Sequence, residues 1–397
     1  MNPRTVSAGQ VSTKIFFAVF SIMLMVSLSS CSQRADSATG DSVIQEPVMT
    51  QSIPLSIPKV NVGVSLPLTG HAAFGGIRAK DGIEMAYNDL PEGERAYINL
   101  IFEDDKCLGK DGLEAVHKLI ETDKADYILG PICNAALAPN YDFLKEKGIP
   151  DLSLGIITDS SAALGEFHFT LSARVRDLMR PLADYVYQKK GARQISILYL
   201  EDEFGQESTK YFEQYFTELG GKIVSKEHFG PTETDFRTQL AKIESKKPDG
   251  IFLMSYGAMI ISQIRQMDEL GIKAQVYAPV PVHDPDVITA LGPKADGIIY
   301  SYPYELTGSD IQSSFEERLD SQSKVHEYYR TTAYDSARAL FTAINSCGQD
   351  RQCVKAYLAS LKDFDGAGGR ISLDDEGIGK RKISINTIRD GEFVPID

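Results

Sequence analysis

From Val60 onward, short apolar runs alternate with amphipathic stretches, and this rhythm limits the chain to few architectures. Residues 60–66 (VNVGVSL) read as a buried strand, and 76–88 as the helix after it. Leu113, Val116 and Ile120, spaced by three and four, mark one face of the next helix. Further strands are predicted at 97–103, 127–130, 151–154, 194–200, 222–228, 250–254, 274–278 and 297–302. The helices between them fall near 135–147 and 177–190, along Tyr211, Tyr215 and Leu219, at 235–246, and along Ile260, Ile264 and Met267. Three more are expected near 310–320, 330–346 and 351–361. Strands joined through helices pair in parallel and need cover on both faces, so the fold class is α/β. After residue 365, short segments at 370–373 and 382–387 and the turn Asp390-Gly391 predict an antiparallel appendage. A chain of 397 residues exceeds one ordinary core, so two domains are expected.

Open α/β sheets bind ligands beyond the carboxyl ends of their strands. Here those ends read Leu68-Thr69-Gly70, Glu103-Asp104-Asp105, Gly130-Pro131-Ile132-Cys133-Asn134, Leu154-Gly155-Ile156-Ile157, Glu201-Asp202-Glu203-Phe204-Gly205 and Ser255-Tyr256-Gly257. The acidic runs 103–105 and 201–203 read as solvated strand-end charges, and His71 as a solvated loop histidine. No P-loop, G-x-G-x-x-G or H-E-x-x-H occurs. Leu253-Met254-Ser255-Tyr256-Gly257 lacks the first glycine of a nucleophile elbow. The chain is therefore expected not to be an enzyme, a hydrolase being the remote alternative. No zinc-ligand spacing appears, and neither a metal nor a cofactor is expected. With 41 basic against 55 acidic residues, a net charge of −14 and no basic stripe, nucleic acid is excluded as a partner.

Arg4 and Lys14 lead into the apolar run 15–28, closed by Ser29-Ser30 before Cys31, the layout of a secretory signal. The run is shorter than the roughly 20 residues of a membrane-spanning helix. Leu28-Ser29-Ser30-Cys31 resembles the bacterial lipobox, which implies cleavage after residue 30 and lipid on the Cys31 thiol; a plain signal beside an incidental cysteine is the alternative. Cleavage would move the net charge from −14 to −16. Residues 31–58 read as a flexible tether, reaching about 30 Å as a coil. Ser32 rather than Asp after the lipidated cysteine would favour the outer membrane, where one exists.

Export permits disulfides. Cys107, Cys133, Cys347 and Cys353 allow three pairings, of which 107–133 with 347–353 is the most local. Cys107 and Cys133 follow consecutive predicted strands, expected to be adjacent in the sheet. Cys347 and Cys353 flank a polar turn between two helical stretches. Free buried thiols remain the other reading.

Leu66-Pro67-Leu68-Thr69-Gly70 with Gly75 and Asn88-Asp89, then Asp104-Asp105-Lys106-Cys107, resembles the type I periplasmic binding proteins, and within them the leucine/isoleucine/valine-binding receptors of ABC importers. Gly130-Pro131-Ile132-Cys133, Glu203-Phe204-Gly205, Gly369 to Asp374 and Asp390 to Val394 follow the family order. The resemblance spans roughly 59–397. It implies two Rossmann-like lobes with parallel sheets, joined by a hinge and closing on a ligand. Lobe one would comprise about 59–176 with 302–358, and lobe two 177–301 with 359–397. The family cysteine pair falls on Cys107 and Cys133. The implied protein is a monomeric, periplasmic lipoprotein, held to the membrane by its lipid alone, that hands a small molecule to ABC permease subunits. A ligand-sensing subunit for a signalling partner is the alternative.

Carried over by position, the family's ligand contacts fall on Phe74, Asn134, Gly155 and Ile157 in lobe one. In lobe two they fall on Phe204, Tyr256 and Val280. Val280 replaces the acidic partner of an α-ammonium and Ile157 a hydroxyl contact. A buried ammonium without a partner costs several kcal/mol. The resemblance so modified implies a ligand with less charge than an α-amino acid, such as an amide or an aromatic or branched carboxylate. In the competing alignment Asp284 or Glu201 supplies the negative charge. Asn134 could donate to a carboxylate or carbonyl, or merely cap the helix opening at Ala135.

Overall fold

Two mainly parallel sheets carry the structure, a computed structural model that describes residues 59–163, 165–319 and 327–396. All described residues lie in one unit, Ser56–Asp397. The signal-like segment 1–30, Cys31 and the tether 31–58 lie outside the described residues.

The first sheet holds β1 (Val60–Leu66), β2 (Ile98–Asp104), β3 (Tyr127–Leu129), β4 (Asp151–Ser153) and β5 (His168–Thr170). Its order is β2-β1-β3-β4-β5, parallel throughout. The second contains β6 (Gln194–Leu200), β7 (Lys222–Phe229), β8 (Gly250–Met254), β9 (Gln275–Ala278) and β10 (Ile299–Tyr302). A small third sheet is built from β11 (Phe364–Gly366), β12 (Gly369–Leu373) and β13 (Gly379–Lys380). The terminal strands β14 (Ser384–Arg389) and β15 (Glu392–Pro395) return to the second sheet, whose order is β15-β14-β10-β9-β8-β6-β7. β14 runs antiparallel to β10 and β15 to β14, as expected for the appendage.

The helices of the first lobe are α1 (Ala73–Asn88), α2 (Glu92–Tyr97), α3 (Gly109–His117), α4 (Asn134–Leu137), α5 (Tyr141–Lys147) and α6 (Asp159–Ala162). The second lobe has α7 (Val175–Asp184), α8 (Glu203–Glu218), α9 (Arg237–Glu244), α10 (Gly257–Glu269) and α11 (Pro285–Leu291). After β10 come α12 (Asp310–Arg318), α13 (Tyr328–Cys347) and α14 (Arg351–Ala359). α13 is buried along most of its length and packs on α1. The contact is close because α1 offers Gly75 and Gly82 to it; a Cβ on Gly75 would lie 3.2 Å from the Tyr329 ring, and one on Gly82 2.1 Å from the Arg330 carbonyl oxygen.

The chain thus passes from lobe one to lobe two before α7, returns after β10, and crosses again between β13 and β14. The expected boundary at residue 359 is displaced. Only 384–395 join the second sheet, whereas β11–β13 bridge to β5 through Thr170 and Ile378.

Three local expectations are corrected by packing. Leu113 is exposed, and Gly112, Ala115 and Val116 face inward, because α3 approaches α4 so closely that a Cβ on Gly112 would lie 2.7 Å from Ala136. Along α8 the core face is Phe204, Phe212 and Phe216, with Tyr211 and Tyr215 only half-buried. The single helix expected at 135–147 is split into α4 and α5 by a 3-10 turn at Ala138–Asn140, where Pro139 lacks an N–H.

Both local cysteine pairs are disulfides, Cys107–Cys133 with Cα atoms 5.3 Å apart and Cys347–Cys353 at 5.6 Å. The strands preceding the first pair are not neighbours, however, since β1 lies between β2 and β3. The loops after them bend across the end of β1 to meet.

Candidate functional site

The carboxyl ends of β1, β2 and β3 in lobe one face those of β6 and β8 in lobe two across a cavity of about 150 Å³. Lobe one supplies His71, Leu108, the Cys107–Cys133 disulfide, Asn134 and Ala135 to its wall. Lobe two supplies Leu200, Asp202, Glu203, Phe204, Pro231 and Tyr256. A second hollow of about 20 Å³ shares Cys133, Asn134, Phe204 and Tyr256 with it, and adds Ile132, Gly155, Ile156 and Tyr329.

Local chemistry sets each wall. Asp202 is the N-cap of α8: its Oδ1 accepts from the Gly205 N–H at 2.7 Å, and its Oδ2 from the Tyr256 hydroxyl at 3.2 Å. Burial pushes its carboxyl up to about 6, against the lowering effect of those two donors. Burial and the neighbouring Asp202 hold the Tyr256 phenol far above its usual range, so it stays a neutral donor. The Phe204 and Tyr256 rings stack with centroids 6.0 Å apart and planes 21° from parallel. His71, half-buried, lies 6.0 Å from the Tyr256 ring, and burial lowers its imidazole pKa.

On the lobe-one side, Asn134 donates from Nδ2 to the Ile156 carbonyl at 3.0 Å and accepts from the Thr158 N–H at 3.4 Å. It is the first residue of α4 and makes no side-chain cap, so it ties the loops after β3 and β4 together. Gly155 permits that junction, because a Cβ there would lie 1.8 Å from the Ile132 carbonyl oxygen. Asp105 is fully buried, accepting from the Cys107 N–H at 2.8 Å and the Ser65 hydroxyl at 3.0 Å; burial pushes it up to about 6.

Of the residues singled out from sequence, Asn134, Phe204 and Tyr256 converge on both hollows and Gly155 on the smaller one. Phe74, Ile157 and Val280 lie outside both linings. Phe74 packs edge-on against Tyr329 with ring centroids 5.7 Å apart and comes close to Gly257 of lobe two. Ile157 turns into a separate apolar cluster with Leu137, Ala162 and Ile378. The hydroxyl at this strand end belongs to the next residue, Thr158. Val280 is buried in a 3-10 turn. Neither alternative acid lines the cavity: Glu201 is exposed, with His228 at 3.0 Å, and Asp284 caps α11. Asp284 Oδ2 is buried without a hydrogen-bond partner. The reading of 103–105 and 201–203 as solvated charges fails at Asp105 and Asp202, because both are drawn inward to bind backbone amides. His71 was likewise read as solvated, and it lines the cavity.

The sequence places Asp202 at a ligand-facing strand end but as a solvated charge, and it does not single out Tyr329. An N-cap signal was available for the first, since Asp immediately before a helical run marks a helix start. Tyr329 had no local signal, because it reaches the site from α13, far along the chain.

A family model described as "Periplasmic binding protein" matches residues 59–392. The chain belongs to the periplasmic binding protein family. Among curated relatives of this family member, Leu/Ile/Val-binding protein homolog 2 of Brucella abortus is 24% identical over 333 residues, covering 81% of this chain and 88% of its own. A Pseudomonas aeruginosa amino acid binding protein is 24% identical over 330 residues, with coverages of 81% and 88%. Among solved structures, a leucine binding protein from Thermotoga maritima superimposes with a TM-score of 0.80 at 22% identity, covering 85% of this chain and 98% of that one. A solute binding protein of an ABC transporter from R. palustris, in complex with benzoate, gives 0.78 at 21% identity, with coverages of 85% and 95%. The two-lobed α/β architecture is therefore that of the family. Among the described residues no helix is long and apolar enough to cross a membrane, and no group of three or more His, Cys, Asp or Glu could hold a metal ion.

Proposed function

We propose that this chain is the extracytoplasmic binding subunit of an ABC importer, capturing a small organic ligand between its lobes for permease subunits. The observation that carries the reading is the cavity walled jointly by Asn134 and the disulfide of lobe one and by the Phe204–Tyr256 pair of lobe two. A ligand touching both lobes stabilises the closed form alone, and closure is the signal a permease can read. Asn134, Gly155, Phe204 and Tyr256 form the ligand's surroundings in this reading. Phe74 and Val280 shape the seam from behind, while Ile157 stands aside.

The ligand carries less charge than an α-amino acid. One feature supports this: Val280, buried where the family's acidic contact falls, offers no carboxylate. Relatives whose names or bound ligands are branched-chain amino acids or benzoate set the size range. A thermal-shift screen of amino acids, amides, ureas and aromatic acids tests it. A ligand present at 100 times its Kd adds about 2.7 kcal/mol of stability, which raises the melting temperature by several degrees. Stabilisation by leucine but by none of the less charged compounds would contradict this ligand class.

The same reading makes the protein a monomeric lipoprotein, cut before Cys31, lipidated on that thiol and tethered through 31–58, on the outer membrane where there is one. Intact mass of the exported chain is expected to lack residues 1–30 and carry acyl chains on Cys31. An unmodified thiol there would refute the anchor.

A further inference from the structure

A second set of contacts crosses the seam from the edge of the cavity, where Glu203 stands, outward along α8. The Thr158 hydroxyl of lobe one donates to Glu203 Oε1 at 2.7 Å, and the Ser160 hydroxyl donates to the same oxygen. The Asp159 N–H is shared by the two carboxylate oxygens of Glu207, at 2.8 and 3.0 Å. The Tyr211 hydroxyl donates to the Asp159 carboxylate, which Arg176 approaches at 3.4 Å. No cavity-lining position is needed for the Glu207 and Tyr211 contacts. We propose that residues 158–160 and the α8 side chains Glu203, Glu207 and Tyr211 form a latch, and that engaging it takes up a proton at Glu207, so acid favours the closed form.

The electrostatics of the patch support this. Facing Glu207 are the Asp159 carboxylate of α6, Glu203, Lys210 and Tyr211 on its own helix, and Arg176 of α7. Three acids thus crowd one edge of the seam when the lobes meet. Burial is the largest influence on Glu207 and pushes its carboxyl up to about 7. The Asp159 amide opposes this, the Asp159 charge adds to it, Lys210 opposes, and Glu203 adds. With the lobes apart the carboxylate faces water, where its ordinary value is 4.5. A carboxyl whose proton affinity is higher in the closed form binds a proton on closing. The closed form therefore gains as pH falls from about 7 toward 4.5, and loses that gain as pH rises through 7.

The inference rests on the proposed closing of the lobes but on no particular ligand, so the test uses ligand-free protein. Small-angle X-ray scattering at pH 8 and pH 6 measures the closed-to-open ratio of wild type and of Glu207→Gln, which keeps an acceptor oxygen but cannot titrate. The wild-type ratio divided by the variant ratio is expected to rise about tenfold from pH 8 to pH 6. A quotient independent of pH overturns the proton uptake. The variant Ser160→Ala removes one donor to Glu203 and leaves Glu207 and the Thr158 cap of α6 in place. It is expected to lower the closed fraction at both pH values while keeping the pH trend, and an unchanged closed fraction overturns the latch. If scattering changes with neither pH, variant nor any stabilising compound from the screen, the closing motion itself is refuted along with the latch.

Discussion

Asp335→Ala is expected to destabilise the fold by about 3–5 kcal/mol, the range for removing one partner of a buried ion pair. Asp335 is fully buried on α13, with Arg381 at 3.4 Å, and the two side chains are 0% and 2% exposed. It also accepts from the Ala367 and Gly368 N–H groups, at 2.6 and 3.0 Å. Alanine would leave a guanidinium and two amides in the interior without an acceptor, each at a desolvation cost. The position matters because Arg381 sits between β13 and β14, on the third crossing between the lobes. The carboxylate thus fixes the hinge to the long central helix. At roughly 2–4 °C per kcal/mol, the melting temperature should fall by about 6–20 °C. Asp335→Asn keeps one acceptor oxygen and should recover part of the loss. A differential scanning calorimetry trace for the alanine variant that overlays wild type would show that the pair contributes nothing.

The second large effect belongs to Tyr256→Ala. The ring walls both hollows, stacks on Phe204 and hydrogen-bonds Asp202. A buried aromatic at the centre of a binding surface commonly carries about 2–3 kcal/mol, so Kd for the compound found in the screen should rise roughly 30- to 150-fold. Tyr256→Phe keeps the ring and removes only the donor to Asp202. Its cost should be nearer 1 kcal/mol, about fivefold in Kd. Because the hydroxyl helps hold the Asp202 carboxyl down, this variant should raise the pKa of Asp202 further. Titration calorimetry of the two variants separates the contributions. Equal affinity for wild type and Tyr256→Ala would remove the aromatic wall from the site.

Much of this site was legible before any coordinates, because strand ends in an α/β sheet converge on the ligand crevice whatever the side chains are. Asn134, Gly155, Phe204 and Tyr256 follow strand ends and reach the hollows directly. The misplacements came where a loop's path matters more than its position in the sequence. One residue of register after β4 sends Ile157 into an apolar cluster and leaves Thr158 to reach Glu203. Similarly, Leu113 looked like a core residue by spacing, yet the close approach of α3 to α4 selected glycine and alanine for the inner face.

Alternating apolar and amphipathic segments by themselves determined the parallel α/β sheets, since a strand buried on both faces needs an unbroken apolar run and a covering helix. β6 and β8 illustrate this, running at 194–200 and 250–254 as their apolar composition requires. The family order of short motifs determined the two lobes. Only the tertiary structure decided which acids are buried, because burial depends on what crosses the seam from elsewhere in the chain. Glu201, Asp202 and Glu203 are consecutive, yet one meets solvent and His228, one caps α8 and receives Tyr256, and one accepts from Thr158 and Ser160 of the opposite lobe.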